Sequence, residues 1–116
     1  MKPLPEAVRK GFLYPYSSWA NRVAVWRFVR DIPYELKHPT RSLVADIEDK
    51  LGGFANTPKL ACWGLHDFCF SEHFLDRWRE LFPSLQVESF AGAGHYLLED
   101  ATDECIPRIV AFLRNS

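Results

Sequence analysis

The apolar positions change rhythm partway along the chain. From residue 1 to residue 57 they fall at helical spacing or irregularly, and no run there reads as a strand. Ser17 or Ser18 caps a predicted helix running to about Arg30, with apolar positions at Trp19, Ala20, Val23, Ala24, Trp26 and Phe28. These cover more than one stripe, so the helix is expected to pack on two sides. Ile32-Pro33 ends it, because the residue before a proline is pushed out of the α region. A second helix starts near Thr40 or Ser42. Leu43, Val44, Ile47 and Leu51 lie at its spacing, and Gly52-Gly53 supplies the stop.

Residues 58–114 read strand, helix, strand, helix. Lys59-Leu60-Ala61-Cys62-Trp63, between Pro58 and Gly64, is a short and mostly apolar run of the kind a buried strand shows. Residues 72–82 follow as a helix, with Phe74, Leu75, Trp78, Leu81 and Phe82 on one face and Glu72, Asp76, Arg77, Arg79 and Glu80 on the other. Pro83 ends it. Leu85-Gln86-Val87-Glu88-Ser89-Phe90 begins with the alternation of a half-exposed strand. Ala91-Gly92-Ala93-Gly94 is a flexible turn. The last helix, from about Thr102, places Ile106, Ile109, Val110 and Leu113 on one stripe, with Asp103 and Glu104 in the first turn where the helix dipole favours acids.

A strand–helix–strand unit of this length implies a right-handed crossover and a parallel pair. The fold class is therefore α/β. Parallel strands normally need cover on both faces and further neighbours. Two of them alone point to a chain that is incomplete or pairs with something.

Composition narrows the function classes. At 116 residues the chain is one small domain or part of a larger one, and 47% hydrophobic with 15% aromatic residues speaks against disorder. Fourteen basic and fifteen acidic residues leave a net charge of −1, which gives no electrostatic reason to expect nucleic acid as a partner. No run approaches the apolar length of a membrane span. The opening Met1-Lys2-Pro3-Leu4-Pro5-Glu6 has no apolar core of a signal peptide. Cys62, Cys69 and Cys105 are too few and too odd in number for a disulfide framework. The expectation is a cytoplasmic protein with neither nucleic acid nor membrane as partner.

In open parallel α/β sheets, reactive groups collect beyond the C-terminal ends of the strands. Two loops qualify, Gly64-Leu65-His66-Asp67-Phe68 and Gly92-Ala93-Gly94-His95-Tyr96. Adjacent parallel strands would bring them together. Asp67 and His95 could then form the carboxylate–imidazole pair of a catalytic triad, with the carboxylate fixing the histidine tautomer. His95 would serve as general base near neutral pH. Taken singly, a Gly-His pair is common and a loop aspartate is usually a turn or cap residue. Their joint placement, after two strands linked by one amphipathic helix, favours catalysis.

A rival pattern is Cys62-x3-His66-x2-Cys69-x3-His73, which offers zinc-ligand types. Against it, Cys62 lies in a buried strand and His73 begins a helix on its polar side. The spacing also departs from the usual cysteine pairs. Buried cysteine as a small hydrophobe is the simpler account, so neither a metal site nor a cofactor is expected. His38-Pro39 reads as a loop, and Arg22 and Arg27 as helix surface or ion pairs.

Trp63-Gly64-x-x-Asp67 after a strand, then Ala93-Gly94-His95-Tyr96 followed by acids before a last helix, resembles the end of the α/β-hydrolase fold. That family carries its acid after the seventh strand and its histidine after the eighth. Asp67 matches the first and His95 the second. Within the superfamily the chain is most similar to the haloalkane dehalogenase group and its β-lactone decarboxylase relatives. That finer likeness rests on Pro15-Tyr16, Asn21-Arg22, Phe28-x-x-Asp31-Ile32-Pro33 and Gly94-His95-Tyr96-Leu97-Leu98-Glu99-Asp100. The earlier of these sets resemble the end of the helical cap over the family's active site. The resemblance implies a cap-like segment over 1–57 and a C-terminal βαβα segment of the hydrolase core over 58–116.

One departure is large. The family places its nucleophile, Asp or Ser, on a Gly-x-(Ser/Asp)-x-Gly elbow before the cap, and no such elbow occurs in this sequence. Ser17, Ser18, Ser42, Ser71, Ser84 and Ser89 all lack the glycine frame. The family's first strands and oxyanion hole are missing as well. The chain alone is therefore not expected to turn over substrate. Completed by the N-terminal part, the implied chemistry is attack by an Asp carboxylate, then hydrolysis of the covalent ester by water that His95 activates. Phe68, Phe70 and Tyr96 could line a pocket for a small apolar substrate, although such aromatics suit a core equally well. The alternative is a non-catalytic, truncated or split segment that binds a partner chain or itself through an exposed sheet edge.

Overall fold

A computed structural model describes residues 3–116. Two compact units emerge, Leu4–Leu51 and Gly52–Ser116.

In the first unit, α1 spans Glu6–Leu13, a helix the apolar pattern had not singled out. Glu6 lies in its first turn and pairs with Arg9 at 2.8 Å, the one-turn spacing that supports an exposed helix. A 3-10 turn, Tyr14–Tyr16, follows. Ser18 then adopts an extended backbone, and its hydroxyl accepts the Asn21 amide at 3.2 Å, which starts α2 (Trp19–Arg30). The Arg22 guanidinium donates to the Tyr16 carbonyl at 2.9 Å and ties helix to turn. The third helix, α3, spans Arg41–Lys50.

One expectation needs correction here. α2 was expected to pack on both sides, yet it buries no residue, and Trp19 and Phe28 are 83% and 81% exposed. Within its unit α2 packs chiefly on the short Tyr14–Tyr16 turn, which is too small to cover two apolar stripes. α3 ends at Lys50, just before Gly52-Gly53, where the stop was expected. No described glycine has positive φ, and the pair sits in a 3-10 turn, Leu51–Phe54, that follows the helix.

The second unit carries the sheet. β1 (Leu60–Gly64) and β2 (Gln86–Phe90) run parallel, in a register from Leu60 opposite Gln86 to Gly64 opposite Phe90. α4 (Glu72–Leu81) connects them as the crossover, and buries Leu75 while Arg77 and Arg79 pair with Glu80 and Asp76 on its outer face. A four-residue turn of helix, α5 (Leu97–Asp100), and a longer α6 (Thr102–Asn115) complete the unit. Among the described residues, both strands are paired on one side only.

The core of this unit gathers Phe90, Ala93, Ala101 and Cys105, with Cys62, Leu97 and Ile109 packed against it. This corrects the stripe expected on the last helix. Cys105 is fully buried and Ile109 partly so, whereas Ile106, Val110 and Leu113 face outward. α6 carries apolar residues on more than one face, and the face with Cys105 and Ile109 turns inward, against Phe90, Ala93 and Ala101. Burial, together with the neighbouring Cys105, pushes the Cys62 thiol up to about 11. Cys62 thus behaves as core, as a small hydrophobe does. Arg108 pairs with Glu88 at 3.3 Å and lies over the Phe90 ring. No helix among the described residues is long and apolar enough to cross a membrane.

Candidate functional site

The parallel register sets the site. Because Gly64 lies opposite Phe90, both strands end level, and the loops leaving them run side by side. Three backbone features lock them. The Leu65 amide donates to the Phe90 carbonyl at 3.1 Å, and the His66 amide to the Ala93 carbonyl at 3.0 Å. Gly64 itself touches the second loop, and a Cβ there would stand 2.5 Å from the Gly94 carbonyl oxygen and 2.8 Å from that of Ala93. Only glycine lets the loops approach this closely.

Asp67 shapes its own loop. Its Oδ1 accepts the amides of Cys69 and Phe70, both at 2.8 Å. An aspartate that bonds the backbone two and three residues ahead makes a local turn without help from distant groups. Trp63 steadies the far side, since its indole N–H donates to the Phe70 carbonyl at 3.2 Å.

From this turn the carboxylate reaches across 28 positions of sequence to His95. The Nδ1 of His95 lies 3.0 Å from Oδ1 and 3.1 Å from Oδ2 of Asp67. The two side chains are 30% and 12% exposed, enough for solvent to reach the imidazole while the acid stays largely enclosed. Burial alone would raise the Asp67 carboxyl; the amides of Phe70 and Cys69 and the His95 ring outweigh it and hold the group below the usual carboxylate range. An ionised acceptor beside Nδ1 favours a proton on that nitrogen, which in the neutral ring leaves the lone pair on Nε2. That is the tautomer a general base needs.

Aromatic rings border the imidazole. The centroids of Phe68, Phe70 and Tyr96 lie 5.3, 5.6 and 5.6 Å from that of His95. All three rings are exposed, Phe68 at 79% most of all, so they belong to the rim of the site and not to the core. A concavity of about 460 Å³ lies instead at the opposite end of the strands, between Leu60, Gln86 and Arg108. The zinc-type set does not gather: Cys62 packs into the core near Cys105. Among the described residues, no three His, Cys, Asp or Glu side chains form a group that could hold a metal ion.

No protein-family model matches the chain. Curated relatives do. Over 112 residues it is 47% identical to a cis-3-alkyl-4-alkyloxetan-2-one decarboxylase of Shewanella oneidensis, in an alignment covering 97% of this chain and 35% of that protein. Over 113 residues it is 39% identical to a protein of the same name from Xanthomonas campestris pv. campestris, covering 97% of this chain and 38% of the relative. The chain corresponds to the C-terminal portion of a hydrolase-like protein. It spans little more than a third of the length of these relatives.

For a hydrolase-like segment, several residues near the pair carry geometry that apolar patterning does not signal. Gly64 is one, and its signal was its position at the end of a strand. Trp63 is another, because its indole bond depends on the path of the loop. Asp100 is the third. Its Oδ2 accepts the Gly94 amide at 2.8 Å, next to His95 in sequence.

Proposed function

We propose that this chain supplies the acid, Asp67, and the histidine, His95, of a nucleophile–His–acid triad, in an enzyme whose nucleophile lies outside these 116 residues. The observation that carries the reading is the 3.0 Å contact between His95 and Asp67 at the C-terminal ends of adjacent parallel strands. On this reading residues 58–116 are the closing βαβα segment of an α/β-hydrolase core, and residues 1–57 are the end of its helical cap. Three free cysteines are in keeping with a reducing cytoplasm.

The names of the relatives favour a lactone over a haloalkane as the substrate class. An oxetan-2-one is a four-membered cyclic ester. Loss of CO2 from it leaves the two remaining ring carbons joined as an alkene, so atoms balance without water. In that chemistry His95 would act through Nε2 on the nucleophile or on the opened ring, while Asp67 stabilises the imidazolium. Phe68, Phe70 and Tyr96 would offer apolar walls to alkyl substituents.

The test is complementation. The N-terminal two thirds of the Shewanella relative, joined to this chain, should release CO2 from a cis-3,4-dialkyl oxetan-2-one. Asp67→Asn and His95→Ala should each abolish most of that release. Full activity in either variant would overturn the triad reading.

A second reading is favoured by the sheet, in which each strand, among the described residues, is paired on one side only. The segment would then associate with another chain, or with itself, by adding a strand at an open edge. Light scattering after size exclusion decides it, since a stable monomer across a concentration series would argue against this reading.

A further inference from the structure

His95 sits in a loop that one residue closes from both sides. The Asp100 carboxylate takes the Gly94 amide at 2.8 Å, just before His95. The Asp100 backbone amide donates to the Tyr96 carbonyl at 2.9 Å, just after it. Gly94 is buried, so its N–H needs a partner from the protein. Here that partner is a side chain six residues ahead.

We propose that Asp100 is a positioning residue for His95. The proposal rests on the triad reading, and adds to it what aims the imidazole. Ala93 is already fixed, its amide on Phe90 at 3.2 Å and its carbonyl on His66 at 3.0 Å. Gly94 is the one link between that anchored residue and His95. A peptide plane free to rotate there would swing the Cα–Cβ bond of His95 away from Asp67. The carboxylate of Asp100 stops that rotation with a charge-assisted bond, roughly twice as strong as a neutral one. Misplacement of a catalytic group by 1 Å costs about 10²-fold in rate, so a residue that never touches substrate can still set activity.

The experiment is NMR of the ¹⁵N-labelled 116-residue chain, reading the Nδ1 proton of His95. In the wild type this proton is expected downfield, and Asp67→Asn should remove it from that position. Asp100→Ala should lose or broaden the same resonance while the amide spectrum of β1 and β2 stays dispersed. Asp100→Asn retains an acceptor oxygen and should restore the resonance, and Asp103→Asn should leave it untouched. A wild-type resonance in folded Asp100→Ala overturns the proposal. Should Asp100→Ala not fold, Asp100→Asn decides. Its Gly94 amide proton should move upfield, because a neutral oxygen replaces a charged one, and a stationary Gly94 amide overturns the proposal. If Asp67→Asn leaves the His95 resonance in place, the pair itself is not formed and the triad reading falls. A resonance that responds to Asp67 but not to Asp100 removes only the positioning role.

Discussion

Gly64 and Gly94 meet backbone to backbone, with no room for a side chain between them: a Cβ on Gly64 would lie 2.5 Å from the Gly94 carbonyl oxygen. Gly64→Ala therefore has to push the two loops apart. Overpacking of this kind costs about 1–3 kcal/mol. Amide exchange in β1 and β2 should speed up accordingly, a readout local to this unit. Gly92→Ala is the control, since nothing lies within 4 Å of its added carbon. It should be neutral or slightly stabilising.

The Asp67 carboxyl predicts a pH dependence with a definite sign. Its folded-state value is lowered by hydrogen bonds that outweigh burial. The stability it contributes is fully present above its unfolded value of about 3.9. It is lost as pH falls through the lower, folded value. A urea titration series from about pH 6 down to pH 2, followed by β-strand amide signals, should show this loss. Asp67→Asn should remove that part of the slope and leave the plateau above pH 5 flat.

Thiol chemistry should separate the three cysteines. Cys69 is exposed, Cys105 is fully buried, and the Cys62 thiol, pushed up to about 11, stays protonated at pH 8. A disulfide reagent at that pH should modify one thiol quickly and the other two only in denaturant. Cys69→Ser should abolish the fast phase.

Truncations should follow the observed burial. Leu75 is 1% exposed, and Leu75→Ala should cost about 2–5 kcal/mol. Leu113 is 67% exposed, and Leu113→Ala should stay within about 0.5 kcal/mol of wild type. A loss at Leu113 as large as that at Leu75 would mean that α6 presents its other face to the core.

Much of this was legible in the residues. Period and punctuation located β1, α4 and β2, because Pro58, Gly64 and Pro83 bound runs whose apolar spacing has a clear period. The parallel pairing followed from the length of the crossover. The meeting of Asp67 and His95 followed from strand order. What escaped had specific causes. α6 carries apolar residues on two faces, and periodicity does not say which one a neighbour covers. α2 was assigned partners on both sides from its own composition, which says nothing of what lies within reach. The roles of Gly64 and Asp100 depend on how closely two loops approach, and that distance is a property of the sheet register.

The sequence span of the acid–histidine contact has its own consequence. Asp67 and His95 lie 28 positions apart, and the crossover helix and β2 lie between them. Closing a loop of that length costs about 3 kcal/mol in chain entropy before any contact repays it. Neither residue can find the other locally. Their hydrogen bond is an internal gauge of folding: it registers when strand, crossover helix and second strand have all come to rest, and its loss is an early sign that the crossover has opened.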